Sequence, residues 1–152
     1  MEISHTLGLC YCSNTGLTGS SMKYFVSMDK QTFIQALINC KSAGMNLASI
    51  RSQEEQKNLE IFLKRNGYND KDGYWLSGMN LGNGTYFWAS SGDPLTYKKW
   101  LPNQPENTRP EISTSRRENC IQLVFNNKSS QEFGWNNLFC KRKLLYICQV
   151  IM

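Results

Sequence analysis

Histidine is almost absent from this sequence of 152 residues, and its scarcity excludes much catalytic chemistry. The single histidine, His5, lies within the first few residues. Ser–His–Asp and Cys–His sites need an imidazole held in a packed cleft, and most zinc sites need histidine or a cysteine cluster. No pattern marks a nucleophile or a catalytic pair of carboxylates. We therefore expect a binding protein without catalytic residues.

Long hydrophobic runs are also missing. No stretch reaches the roughly 18 apolar residues that a membrane-spanning helix needs, so we expect no membrane span. The N-terminus lacks the basic start and apolar core of a signal peptide, which predicts that a leader has been removed or never existed. Hydrophobic residues form 40% of the chain, which is ordinary for a globular protein once glycine is added. The length predicts one domain, or one domain and a tail.

The cysteines include no Cys-x-x-Cys pair, which argues against zinc-ribbon and thioredoxin-like sites. Six cysteines, four of them far apart, predict disulfides and a secreted, extracellular protein; buried free thiols in a cytosolic protein are the alternative. The four distant cysteines allow three pairings. Cys10 and Cys12 are separated by one residue, so a bridge between them would close a strained small ring. We expect intermolecular disulfides from this pair, with capping by small thiols as the alternative.

Patterns along the chain predict helices first and strands later. Residues 1–21 have no periodic apolar pattern and are predicted to be a flexible tail. A first helix is expected from a cap at Asp29 to Ala43, and a second from a Ser52–Glu55 capping box to Gly67. Short strands are expected at 24–26, 74–76, 86–88, 121–125 and 146–150, with a loop of about 30 residues before the later strands. This order predicts an α+β fold with an antiparallel sheet.

Several motifs occur in an order that resembles one family. Tyr74-Trp75-Leu76-Ser77-Gly78 is similar to a central W-I-G-L strand, and Gln104-Pro105-Glu106 to a calcium and sugar loop. Glu118-Asn119-Cys120 is similar to an E-x-C motif, and Trp135-Asn136-Asn137 to a W-N-D strand. Over about residues 22–150 the sequence resembles the C-type lectin-like domain. The resemblance implies a tail of residues 1–21 and a carbohydrate-recognition domain of residues 22–152.

The resemblance also implies a fold and its disulfides. The fold has two helices, short antiparallel sheets and a long loop region stapled by disulfides. The implied bridges are Cys40–Cys148 and Cys120–Cys140. The tail and single domain resemble those of secreted arthropod immune lectins, including mosquito forms with an N-terminal Cys-x-Cys, which implies innate-immune recognition of microbial glycans. The intermolecular disulfides expected from Cys10 and Cys12 would join this chain to a second copy, as a homodimer, or to a related lectin, as a heterodimer.

A calcium and sugar site is carried over from the family residue by residue. The implied metal ligands all offer oxygen, which calcium prefers; they are Gln104, Glu106, Glu118, Asn136 and Asn137. The first four would also bind the sugar. Asn137 stands where the family usually has Asp, so we expect one weak Ca²⁺ site. The Gln104-Pro105-Glu106 triplet is closer to the family's galactose pattern than to its mannose pattern.

Basic residues suggest a second kind of ligand. The formal net charge is +5, and one predicted polyanion patch comprises Arg109, Arg116, Arg117, Lys141, Arg142 and Lys143. Because the cysteines place the protein outside the cell, sulfated glycans are expected rather than nucleic acid. The alternative function is calcium-independent binding of polyanionic glycans or proteins through this basic face. A merely solvated basic surface is a further alternative.

Overall fold

The computed structural model describes residues 13–14, 21–82, 84–105, 119–126 and 132–152. They form an α+β fold of two helices and eight strands, as the sequence predicted. The helices are α1 (Phe33–Ser42) and α2 (Gln53–Arg65). The strands are β1 (Ser13–Asn14), β2 (Met22–Val26), β3 (Asn46–Leu47), β4 (Tyr74–Asn80), β5 (Tyr86–Trp88), β6 (Cys120–Asn126), β7 (Glu132–Leu138) and β8 (Leu145–Ile151).

The first helix begins three residues later than predicted. Thr32, not Asp29, is its N-cap, and the Thr32 hydroxyl accepts a hydrogen bond from the Gln35 amide at 3.2 Å. The Asp29 carboxylate instead accepts from the Gln31 side chain at 2.7 Å. Both Asp and Thr are good N-cap residues, so the sequence offered two starts. Because the Asp29 carboxylate bonds to the Gln31 side chain, it does not cap the helix, and Thr32 is the N-cap instead.

The second helix begins at its predicted cap. The Ser52 hydroxyl accepts from the Glu55 amide at 3.1 Å, which satisfies one of the free amides of the first turn. The Glu55 carboxylate accepts from the Arg51 amide at 3.4 Å rather than from Ser52, so only one half of the predicted capping box forms. After the two helices, Gly44 and Gly67 have φ values of 76° and 71°, a backbone region that favours glycine at helix C-termini.

The strands form one sheet in the order β1-β2-β8-β4-β6-β7, with β3 on β8 and β5 on β4. The predicted hairpin of β4 and β5 is present and antiparallel. The sheet is antiparallel, as predicted, except at one seam, where β4 pairs with β8 in parallel, Tyr74 opposite Leu145. The last strand runs antiparallel to β2, and that direction leaves its other edge parallel to β4.

Two hydrophobic clusters fill the core. One packs α2 against the sheet and contains Trp88 and Trp135, and the other packs α1 against it and contains Phe33 and Trp75. All four of these side chains have no exposed surface. The Trp75 indole N–H donates to the Gln31 carbonyl oxygen at 3.0 Å, so this buried aromatic has a partner for its polar atom.

Both disulfides implied by the resemblance are present. Cys40–Cys148 joins α1 to β8, and Cys120–Cys140 joins the start of β6 to the segment after β7. Their Cα–Cα distances are 5.5 and 5.2 Å, within the usual range for disulfides. Bridges across 108 and 20 residues of sequence restrict the unfolded chain and so favour this loop-rich fold.

The domain boundary at residues 21 and 22 stays a prediction. Within the predicted tail, Ser13 and Asn14 form β1, which pairs with Lys23 and Met22 of β2. Cys10 and Cys12 lie outside the described residues.

Among the described residues, no helix is both long and apolar enough to cross a membrane.

Candidate functional site

The candidate site lies along the outer edge of β7, the last strand in the order of the sheet. A chain segment at residues 99–101, before the Gln104-Pro105-Glu106 triplet, runs beside this edge. The Trp135 amide donates to the Lys99 carbonyl oxygen at 2.8 Å, and the Leu101 amide donates to the Trp135 carbonyl oxygen at 2.9 Å. These two bonds fix the segment to β7 immediately before Asn136.

A glycine lets the segment approach β7 closely. A Cβ atom placed on Gly134 would lie 2.3 Å from Cδ2 of Leu101, well inside van der Waals contact. Beyond Leu101 the chain turns back, since the Gln104 amide donates to the Leu101 carbonyl oxygen at 3.0 Å. Asn103 in this turn has a φ of 67°, a conformation that asparagine tolerates better than most residues. The Gln104–Pro105 peptide bond is cis. The turn bonds Gln104 to Leu101, whose own amide is bonded to β7.

Asn136 and Asn137 occupy successive positions of β7, opposite Gln122 and Ile121 of β6. Successive side chains in a strand point to opposite faces. A single cation that takes both amides therefore has to lie off the strand's edge rather than over one face. The segment that leads to Gln104 is bonded to β7 at Trp135, directly before Asn136, so the predicted ligands of the described chain lie on this strand or on the segment beside it.

The Asn136 side chain is oriented by its neighbours. Its amide nitrogen donates to the Gln122 side-chain oxygen at 2.7 Å, and the Gln122 nitrogen donates to the Asp72 carbonyl oxygen at 2.7 Å. This chain of bonds commits the nitrogen of Asn136 to the sheet. Its oxygen, Oδ1, is buried and has no donor among the described residues.

Two further buried amide oxygens near β7 lack a donor among the described residues. They are Oε1 of Gln104 and Oδ1 of Asn119; the Asn119 backbone amide donates to the Leu138 carbonyl oxygen at 3.2 Å. A buried acceptor without a partner is unfavourable, and amide oxygens are good calcium ligands. The unpaired oxygens of Gln104, Asn119 and Asn136 are of the chemical type that suits a hard cation; two buried donors on β4 and β5, Asn80 Nδ2 and Trp88 Nε1, also lack a partner among the described residues.

Asn119 was not among the predicted ligands. The sequence carried a signal for it, because it stands between the predicted ligand Glu118 and the disulfide cysteine Cys120. The family pattern treats this middle position as variable, which is why the motif alone did not select it. Asn137, a predicted ligand, has no exposed surface.

The remaining predicted site residues divide between the described chain and the rest. Glu106 and Glu118 lie outside the described residues, as do Arg109, Arg116 and Arg117. Within the described chain, no three His, Cys, Asp or Glu side chains gather in a way that could hold a metal ion. The carboxylates of the proposed metal site are thus Glu106 and Glu118, and the described donors are amides.

An aromatic cluster supports the site from below. Rings of Trp88, Tyr97 and Trp100 meet Trp135 edge-on, with centroid distances of 5.5, 5.9 and 5.8 Å. Edge-to-face pairs of this kind are favourable beyond their burial. They hold the strand position directly before Asn136.

One cation beside the cluster is partly buried. Lys99 Nζ lies 2.8 Å from a Glu60 carboxylate oxygen and 3.6 Å from one of Glu132. Burial lowers the pKa of Lys99, but the hydrogen bond to Glu60 and the two negative charges outweigh it, so the pKa is raised overall. Lys99 is therefore positively charged at neutral pH.

The described half of the predicted polyanion patch lies at the turn between β7 and β8. Lys141, Arg142 and Lys143 are all exposed. Nearby, Lys30 forms an ion pair with Asp72 at 2.9 Å. The hydrogen bond from Lys30 lowers the pKa of Asp72, and Arg142 adds a smaller effect in the same direction. The basic turn thus has an acidic neighbour that weakens its field.

The fold, the two bridges and the edge of β7 together define a C-type lectin domain. A profile described as the Lectin C-type domain matches residues 29–150, and the chain belongs to this family. The family is one of binding domains, and it supports a carbohydrate-binding lectin rather than an enzyme.

Known proteins show the same likeness. Salivary C-type lectin 2 of Aedes albopictus is 27% identical over 146 residues, which cover 94% of this chain and 91% of the relative. The carbohydrate-recognition domain of the mouse scavenger receptor C-type lectin has a TM-score of 0.67 at 22% identity, covering 90% of this chain and 91% of that one. The domain of cow CD23, solved in the presence of GlcNAc2Man3 oligosaccharide, has a TM-score of 0.66 at 25% identity, with coverage of 93% and 98%.

Proposed function

We propose that this protein is a secreted lectin that binds glycans through one weak calcium site at the outer edge of β7. The three unpaired amide oxygens of Gln104, Asn119 and Asn136 carry the proposal. They are buried acceptors beside one strand, and a cation would satisfy them without a donor from the protein. The family and the salivary mosquito relative support the carbohydrate ligand and the extracellular location.

The proposed ligands are Gln104, Glu106, Glu118, Asn136 and Asn137, with the unpaired side-chain oxygen of Asn119 as an additional one. Bound calcium would coordinate two neighbouring hydroxyls of a sugar. The chain's own groups orient that sugar: carboxylates accept hydrogen bonds from its hydroxyls, and the amide nitrogens that are not committed elsewhere donate to them. Gln122 commits the nitrogen of Asn136, so its oxygen is the atom it offers.

The preferred glycans are of the galactose type. The triplet Gln104-Pro105-Glu106 is closer to that family pattern, although Glu is one methylene longer than the usual Asp. Thr108 stands where many galactose-binding relatives have Trp, so no stacking platform is provided there. The preference for galactose should therefore be small.

Calcium affinity is expected to be low because the site has two carboxylates, Glu106 and Glu118. Extracellular calcium modules bind at about 10⁻⁴–10⁻³ M, and this site belongs at the weak end. Asn137→Asp restores the missing charge at nearly constant volume. Because Asn137 is fully buried, the new carboxylate should destabilise the calcium-free protein and be compensated when calcium binds.

Calorimetry and thermal unfolding on four proteins test the site. The parent should bind calcium weakly, Asn137→Asp more tightly, and Glu118→Gln not at all. Asn46→Asp adds the same charge at an exposed position. It should change neither the calcium affinity nor the effect of calcium on the unfolding temperature. Tight binding by the parent, or no gain in Asn137→Asp over Asn46→Asp, would show that the ligands are misplaced.

A glycan array in calcium and in chelator tests the carbohydrate ligand. Binding to galactose-terminated glycans that disappears in chelator is the expected result. Binding that survives chelator and falls with salt would favour the alternative function, calcium-independent capture of polyanions.

The observation that favours this alternative is the run of three exposed cations, Lys141, Arg142 and Lys143. With Arg109, Arg116 and Arg117, they would form the polyanion patch for sulfated or phosphorylated glycans. Binding should then weaken steeply as salt rises. Lys141→Ala with Lys143→Ala, and separately Arg116→Ala with Arg117→Ala, should each flatten that salt dependence; equal slopes in all three proteins would reject the patch.

We also propose that Cys10 and Cys12 form intermolecular disulfides, with a second copy or with a related lectin. Joining two weak sites raises avidity without any new contact, which suits recognition of repeated glycans on microbial surfaces in innate immunity. Non-reducing electrophoresis of the secreted protein should show a dimer that Cys10→Ser with Cys12→Ser abolishes. Only monomer in the parent would reject the dimer.

A further inference from the structure

Four polar side chains from three parts of the chain form a closed ring, which we call the Trp135 ring. The Trp135 indole N–H donates to Gln56 Oε1 at 2.9 Å, and Gln56 Nε2 donates to Glu60 Oε2 at 2.9 Å. Lys99 Nζ donates to the same Glu60 oxygen at 2.8 Å. The ring closes through the backbone, where the Trp135 amide donates to the Lys99 carbonyl oxygen at 2.8 Å.

Trp135, Gln56 and Glu60 of the ring are buried, and the Lys99 side chain is 25% exposed. Gln56 is 1% exposed and Glu60 is 8% exposed. Both ends of the Gln56 amide are engaged, so its orientation is determined: reversing it would set its nitrogen against the indole N–H and its oxygen against the carboxylate. Glu60 in turn receives two donors on one oxygen. A buried polar group held in this way rigidifies the elements it joins.

Those elements are α2 and the two chain segments that carry the site. Trp135 directly precedes Asn136 in β7. Lys99 begins the segment that bonds to Trp135 through Leu101 and then turns to Gln104. The ring therefore connects α2 both to β7, which carries Asn136, and to the segment that leads to Gln104.

We propose that Glu60 and Lys99 are positioning residues of the lectin site, which hold the segment at residues 99–104 against β7 so that Gln104 and Asn136 face one ligand. This inference rests on the proposed function. A buried ion pair contributes little net stability compared with apolar residues of similar size, so packing alone gives no reason for this pair. The Glu60–Lys99 ion pair does specify a geometry, because each charged group is compensated only by an opposite charge in that one position.

The test replaces both charges together, since a single replacement would leave one charge buried without its partner. Glu60→Gln with Lys99→Met keeps the size of both side chains and removes the ion pair. The matched control is Glu54→Gln with Lys98→Met, which changes an exposed acid of α2 and the exposed neighbour of Lys99. Lys99→Arg, with Glu60 intact, is the conservative variant that should restore the ring's cation.

Amide hydrogen exchange reports the position of the segment without any ligand. In Glu60→Gln with Lys99→Met, exchange at the Leu101 and Gln104 amides should rise about tenfold or more, while that of Ile147 in the central strand stays within twofold. Calcium affinity should fall about tenfold, the lower end of what supporting residues of a metal site cost. Lys99→Arg and the exposed control should match the parent in both measurements.

The outcomes separate this inference from the proposed function. Unchanged exchange at Leu101 and Gln104 overturns the positioning role, whatever the calcium result. If the parent protein binds neither calcium nor glycan but the double variant still exchanges faster, the positioning role is supported and the proposed function is rejected. Faster exchange at Ile147 to the same degree means general destabilisation and also overturns the proposal. If the double variant does not fold, Glu60→Gln alone, which keeps the Gln56 contact, is judged by the same criteria.

Discussion

The two disulfides mark two regions of this molecule that are stabilised differently. The scaffold region lies around Cys40–Cys148 and comprises α1, β2, β3 and β8; the site region lies around Cys120–Cys140 and comprises residues 99–105, β6 and β7. In the scaffold region, fully buried positions are mostly apolar, as at Phe33 and Leu47. Among the described residues, an unpaired buried polar atom of this region is on Gln149 of β8, and another is on Asp29, between β2 and α1.

In the site region, unpaired buried acceptors lie on β7, directly before β6, and within the segment at residues 99–105. The amide oxygens of Gln104, Asn119 and Asn136 lack donors among the described residues, while the Trp135 ring beneath them is completely paired. Unpaired acceptors lower stability. A ligand that satisfies them recovers that free energy only in the bound state. The scaffold region therefore stabilises the protein without a ligand, whereas part of the unfolding free energy of the site region is gained only when a ligand binds.

The largest expected effect comes from opening the scaffold bridge. Cys40→Ala with Cys148→Ala removes a link across 108 residues, and the chain-entropy relation predicts a loss of about 4–5 kcal/mol of unfolding free energy. Urea unfolding of the parent and the double variant would measure it. A loss smaller than that caused by opening the site bridge would contradict the division into a scaffold and a site.

Removing the Cys120–Cys140 bridge should lower the unfolding free energy less than removing Cys40–Cys148, and should weaken calcium binding more. Cys120→Ala with Cys140→Ala removes a link across 20 residues, for an expected loss of about 3 kcal/mol. Because Cys120 directly follows Asn119, this variant should also weaken calcium binding in conditions where it remains folded. Calorimetry on the folded variant checks this, and unchanged calcium affinity would show that the bridge does not support the site.

The sequence predicted the scaffold better than the site. The Ser52 cap and the β4–β5 hairpin follow from local patterns, because a cap or a tight turn needs only neighbours in the chain. The choice of Thr32 over Asp29 was missed, since two good caps were in competition. The parallel seam between β4 and β8 was missed because the direction of a strand is set by partners far away in the sequence.

Much of the site could be predicted only through family resemblance. Both disulfide pairings and the ligand set came from it, whereas spacing alone left three pairings open. Gln56, Glu60 and Lys99 gave no signal, because a polar residue in an amphipathic helix or before a tryptophan is ordinarily exposed. Their role depends on α2 meeting β7, which is tertiary information.

Two glycines allow a matched comparison of two parts of the site region, the segment at residues 99–105 and strand β6. A Cβ on Gly134 would lie 2.3 Å from Leu101 Cδ2, and a Cβ on Gly78 would lie 2.3 Å from Ile121 Cδ1. Both alanine variants should lose about 1–3 kcal/mol by overpacking, measured by urea unfolding. Only Gly134→Ala pushes against the segment that carries Gln104, so it alone should weaken calcium binding. Equal affinities in the two variants would mean that the site tolerates movement of Leu101.

The smallest effect is expected at an exposed ion pair, which tests whether polar contacts matter outside the buried ring. Arg51 and Asp93 approach to 2.8 Å, but their side chains are 47% and 53% exposed, and exposed pairs contribute little.

Hydrogen bonds from Arg51 and from Ser91 lower the pKa of Asp93. A carboxyl group whose pKa is lowered by folding stabilises the protein above its unfolded pKa of about 3.9. That contribution is lost as the pH falls through the lower, folded value. Asp93→Asn should therefore shift the urea midpoint slightly at neutral pH and not at all at about pH 2, with calcium affinity unchanged at neutral pH. A shift as large as that from Gly134→Ala, or one that persists in acid, would show that surface pairs are as important as the buried contacts of the site region.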